Sequence, residues 1–136
     1  MEKKRLFKIM AKADRDIIIN MAEEVKKTQE VVIVKSPEKV LAMIKMREPV
    51  KESLFYMGEV IVTEAAVTIE GVNGMAVTMG DDFDKALAMA IIDAAFNCNA
   101  ITDETPFIEL EKQQIMREEK ENAMFMKTMV NFNSMS

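Results

Sequence analysis

No histidine occurs anywhere in the 136 residues. That absence removes Ser–His and Cys–His nucleophilic pairs and imidazole metal ligands together, so no metal site and no cofactor are expected. Only four glycines are present, at positions 58, 71, 74 and 80, and no G-x-x-x-x-G-K-[ST] loop can be written from them. Nucleotide is not held that way. The single cysteine, Cys98, excludes an internal disulfide and ends an apolar helical pattern, where a thiol ordinarily packs rather than reacts. No h-region follows the opening MEKKRLFK, which gives secretion no support and points to a cytoplasmic protein. Apolar runs such as ALAMAII, residues 86–92, fall far short of the ~20 residues that span a bilayer, so no membrane role is expected. A net charge of -5 and a pI near 4.9 argue against a nucleic-acid binder, whose footprint is a clustered positive surface. Lys3, Lys4, Arg5, Lys8 and Lys12 do gather near the N-terminus, but they alternate with Leu6, Phe7, Ile9 and Met10 at helical spacing and read as a solvated helix face.

What is present is an ordinary domain composition, 49% hydrophobic and 30% charged. It suits one domain over residues 1–136, able to bury roughly two thirds of its unfolded surface. Ile17, Ile18, Met21, Ala22 and Val25 recur at steps of three and four, so two short helices open the chain and meet near Ala13-Asp14, with Asp14 or Asp16 as N-cap. Val31 to Val34 is a β-branched run that Ser36-Pro37 stops, and Val40 to Met46 reads as a second strand ended by Arg47-Glu48-Pro49. FYMGEVIVTEAAVTIEG, residues 55–71, forms the third. Asn73-Gly74 supplies a hairpin signal before a fourth strand from about Met75 to Met79. Gly80 ends the sheet, Asp81-Asp82 caps a helix from about Phe83 to Asn97, and a last long helix starts near Phe107. Strands grouped between helices predict an α+β fold, a four-stranded antiparallel sheet flanked by N-terminal and C-terminal helices.

Three features stand out chemically. Phe55, Met57, Glu59, Ile61, Thr63, Ala65, Val67 and Ile69 share one strand face, and all but Glu59 suit a covered one. A lone carboxylate there costs several kcal/mol unless a donor meets it. Either a bulge at Gly58 turns Glu59 to solvent, or Gly58 admits another chain that supplies the donor. Asp93 interrupts an otherwise apolar helix, and Lys85, Met89, Asp93 and Asn97 form its polar stripe, expected to face solvent or a subunit interface. Along the last helix, Ile115, Met116, Ala123, Met126 and Val130 make one apolar stripe, and Phe125, Met129 and Phe132 a second beside it. One small sheet does not cover both. With 14 methionines in the chain, the double stripe points to a partner-facing surface.

Pro37, Leu41 and Arg47, then FYMGEVIVTEAAV, NGMAVTMGDD and KALAMAIIDAA, resemble in order and spacing the PhnG family, a subunit of the bacterial carbon–phosphorus lyase system. The resemblance spans roughly residues 31–96, with the chain ends similar mainly in placement and length. Matching positions are Gly58, Glu59, Thr63, Gly80 and Asp93. The chain departs from the pattern at Val40, where the family commonly has glycine, at Met75-Ala76, where it has an aromatic, and at Glu64, where a basic residue is frequent. The resemblance implies an accessory subunit of that system's core complex. It would work with H, I and J-type subunits in displacing adenine from ATP and joining a phosphonate to ribose C1. Phe125, Met126, Met129, Val130 and Phe132 are the partner-contact candidates. No catalytic residue is assigned.

Two other readings stand beside this one. A self-associating scaffold would use the apolar stripe as a homodimer interface, and an independent small enzyme would use Glu59 and Asp93 as an acid–base pair in one cleft.

Overall fold

The protein, as a computed structural model, is described over residues 1–47 and 54–135, with side chains outside 44–58 and 128–135. The elements run α1 (Lys3–Lys12), α2 (Arg15–Thr28), β1 (Val31–Arg47), β2 (Leu54–Ile69), β3 (Val72–Met79), α3 (Phe83–Asn97) and α4 (Thr105–Met135). The class is α+β, but the sheet has three antiparallel strands in the order β1-β2-β3, not four.

Ser36-Pro37 does not divide the first strand. β1 continues through it, and the pairing with β2 absorbs it in register shifts between Ile33 and Lys35 and between Lys35 and Glu38. β1 is an edge strand, where a proline facing away from the ladder forfeits no bond. The hairpin turn also lies elsewhere than Asn73-Gly74. Ile69 pairs with Val72, leaving Glu70 (φ 52°) and Gly71 (φ 77°) as a two-residue loop. Positive φ at both central residues is the type I′ geometry that matches the twist of the strands. Asn73 and Gly74 therefore lie inside β3.

The chain separates into two compact units, residues 14–102 and residues 1–13 with 103–136. In the larger unit, α3 packs on β2 and β3 and is in turn packed by α2. Its residues from Ala88 to Ala95 are all buried, as expected of a helix apolar over most of its circumference. Thr63, Ala65, Val67 and Ile69 of β2 and Gly74, Ala76 and Thr78 of β3 are buried at alternate positions. α2 contributes Ile18, Ala22 and Val25. Asp14 occupies the N-cap position of α2 without a side-chain capping bond.

The smaller unit joins α1 to α4 through a ladder. The Met1 amino group pairs with Glu104, Arg5 grips Glu111 with two bonds of 2.9 and 2.6 Å, and Lys12 pairs with Glu118. Three acids seven residues apart lie along one side of a helix, and the ascending order of their partners makes α1 and α4 parallel. Gln114, buried, donates to the Ile9 carbonyl at 2.9 Å. The basic face of α1 is thus partly spent on α4.

Candidate functional site

The five positions singled out in the sequence fall in three places. Thr63 and Gly80 meet. The Thr63 hydroxyl, fully buried, donates to the Gly80 carbonyl at 2.8 Å, while the Gly80 amide donates to the Ile61 carbonyl at 2.8 Å. Gly80 has φ 85°, a conformation that glycine adopts without steric cost. The pair closes the end of β3 and turns the chain toward α3.

Asp82 then caps α3, accepting from the Lys85 amide at 3.1 Å, and binds Arg15 at 2.9 and 3.2 Å. Hydrogen bonding to Arg15, above all, with the Lys85 amide and nearby charge adding to it, holds the Asp82 carboxyl below its ordinary range. Arg15 also reaches Asp84 at 3.3 Å. This cluster ties α2 to the start of α3.

Asp93 does not face solvent, and neither does Met89; they are 3% and 1% exposed. Asp93 Oδ2 accepts from the Met75 amide at 3.0 Å, and Asn97 Nδ2 donates to the Asn73 carbonyl at 2.9 Å. Two α3 side chains one turn apart therefore occupy backbone groups on the outer edge of β3, which would otherwise invite another strand. The approach is close at that point. A Cβ on Gly74 would lie 2.3 Å from the Ala94 nitrogen and 2.4 Å from the Ala90 oxygen.

Glu59 is exposed and sits opposite Met43. Ile44 pairs with Gly58 and Lys45 with Tyr56, so one extra β2 residue enters beside the glycine and marks a bulge. The face that Glu59 shares is covered only from Thr63 onward: Ile61 is 49% exposed. The reason is topological. β3 ends opposite Val62, and beyond it β1 and β2 pair only with each other. Glu59 is seven residues along β2 from Ala66, the partner of Met75. That is roughly 23 Å of strand, so Glu59 and Asp93 do not share a cleft and the acid–base pair is not formed.

The sheet face turned away from α3 carries Met75, Val77 and Met79, exposed by 62%, 53% and 70%. This surface was not singled out in the sequence; its signal is the small alternating set Gly74, Ala76 and Thr78, which marks the side that packs closely. Lys35 and Glu64 pair across β1 and β2 at 2.7 Å, so the acid at Glu64 is answered within the chain. In α4, Met124, Phe125 and Met126 are all about 60% exposed. Met129, Val130 and Phe132 lie on the same helix, where side chains are outside the described residues.

Among the described residues no three acids or thiols cluster as a metal site, and no helix is long and apolar enough to cross a membrane. A groove of ≈ 270 Å³ between α2 and α3 is floored by Ala22, Ala88 and Ile91 and rimmed by Glu23, Lys26 and Asp84. Its volume is just below the usual range of small-molecule sites, whereas a more open hollow of ≈ 440 Å³, lined among others by Thr28, Glu30, Val32, Thr68 and Glu70, falls within it. Comparison with known families gives one finding: the family model described as phosphonate metabolism protein PhnG matches residues 1–136. No curated protein matches the chain significantly.

Proposed function

Because the chain belongs to the PhnG family of phosphonate metabolism proteins, we propose that it acts in the cytoplasm as an accessory subunit of the carbon–phosphorus lyase core complex. In that role it supports transfer of a phosphonate to ribose C1 of ATP with release of adenine, and H, I and J-type subunits cover its open surfaces. The observation that carries this reading is the exposure of Phe125 on α4 together with the uncovered sheet face at Met75, Val77 and Met79. Exposed apolar area of this kind marks protein interfaces, and methionine and phenylalanine are enriched at interface cores.

The position of Phe125 sharpens the assignment. Glu104, Glu111 and Glu118, which face α1, are followed at the same seven-residue step by Phe125 and Phe132. The last ion pair of the ladder joins Lys12, the end of α1, to Glu118. The stripe turns aromatic where α1 has run out. A partner segment there, over Phe125, Met129 and Phe132, would continue the packing that α1 begins; Met126 and Val130 fall on the neighbouring side.

The test is co-purification of the tagged chain from its own cells grown on a phosphonate, with partners identified by mass. Recovery of H, I and J-type subunits is expected. Phe125→Asp with Met129→Asp should abolish that recovery and leave the circular dichroism of the isolated chain unchanged. Normal recovery from the double variant would remove α4 from the interface, and absence of all three subunits from the wild type would sink the reading.

A further inference from the structure

On the other side of α4 from the ladder, residues Met116, Glu119, Ala123 and Lys127 line up at steps of three and four. All four are exposed, and among the described residues neither Glu119 nor Lys127 has an ion-pair partner. The order has a symmetry that a solvated helix face does not need. Ala123 lies midway between an acid four residues before it and a base four residues after it. Met116, seven before, has Val130 as its counterpart seven after.

From this pattern we infer that α4 pairs antiparallel with α4 of a second copy of the chain, crossing at Ala123. A two-fold axis at that residue sets Glu119 opposite Lys127 of the partner subunit, and Lys127 opposite the partner's Glu119. The register places the helix position of Val130 across from Met116 of the partner subunit. An isologous contact requires this self-complementarity, since every pairing occurs twice. The small side chain at the crossing lets the helices approach, and the flanking opposite charges fix direction and register as they do beside helix–helix seams. A parallel arrangement would instead bring Glu119 to Glu119 and Lys127 to Lys127. At about 100° per residue, this face lies away from Glu111, Glu118 and Phe125, so the copy-to-copy contact and the partner surface proposed above can be occupied together. The inference does not rest on that proposal.

From Met116 to Val130 the seam covers about four turns of helix. A concentration-dependent dimer is expected for the purified full chain, read by sedimentation equilibrium at low salt. Glu119→Lys alone, or Lys127→Glu alone, sets like charges face to face twice and should weaken the dimer by about tenfold or more. Glu119→Lys combined with Lys127→Glu restores opposite charges and should recover the dimer. A geometric check uses Cys98→Ser as background: Ala123→Cys should form a disulfide-linked dimer under mild oxidation, and Glu121→Cys, on another face, should not. A monomeric wild type, single reversals without effect, a double reversal that fails to recover the dimer, or equal cross-linking of the two cysteine variants would each overturn the proposal. Capture of α4 by a different subunit with no self-association gives the first of these results.

Discussion

Gly74 is the residue on which the packing of α3 depends most directly. The nearest atoms to a Cβ built there are the Ala94 nitrogen and the Ala90 oxygen, both in the backbone of α3, so neither can swing aside as a flexible side chain would. Gly74→Ala is expected to cost about 3 kcal/mol, the upper part of the range for overpacking, measured by urea denaturation. A cost below about 0.5 kcal/mol, the usual limit for surface changes, would mean that α3 is not seated as described. The sequence suggests a different job for this glycine, because Asn-Gly is a stronger local turn signal than Glu-Gly. What overrides it is non-local: the turn tolerates Glu70 at φ 52°, whereas nothing larger than hydrogen fits between β3 and α3 at position 74. Asp93 misleads for the same reason. Read along its own helix it is a polar interruption, and its hydrogen bond from the Met75 amide at the edge of β3 is not visible from that helix.

At the level of elements, legibility follows how local the cause is. The cap of α3 is visible in the sequence because an N-cap acts within one turn of itself, and the structure has Asp82 accepting from the Lys85 amide. The strand count is not visible, because whether Pro37 breaks a strand depends on which strand borders the sheet. The cap also carries a pH dependence. Arg15 and the Lys85 amide hold the folded Asp82 carboxyl below its ordinary value, so its contribution is present above the unfolded pKa, about 3.9. It is lost as pH falls through the lower folded value. Asp82→Asn keeps an acceptor for the cap and removes the charge facing Arg15. It should lower stability at pH 7 by no more than about 1 kcal/mol, as for solvent-reached ion pairs, and the difference from wild type should shrink in acid, below that unfolded value. A difference that stayed constant into strong acid would place the loss in the cap geometry instead of the charge.

For the whole molecule, the distribution of apolar surface among the described residues is the feature that bears on the proposed subunit role. Hydrophobicity alone would send Met75, Val77 and Met79 inward, yet the structure buries Gly74, Ala76 and Thr78 and turns the larger residues out. The close seat of α3 explains the inner choice; the proposed subunit role would account for the outer one, since single domains rarely leave adjoining apolar side chains of this size uncovered. The two readings of that face separate experimentally. Val77 is 53% exposed in the middle of β3, and it pairs with Glu64, an acid beside which a lysine is electrostatically welcome. Val77→Lys should therefore change the stability of the isolated chain by no more than about 0.5 kcal/mol while reducing the partner subunits recovered with it. If recovery is untouched, the outer face is solvent and α4 alone carries assembly. If the isolated chain unfolds, the face is covered within the chain itself, and the argument for an external partner at the sheet fails with it.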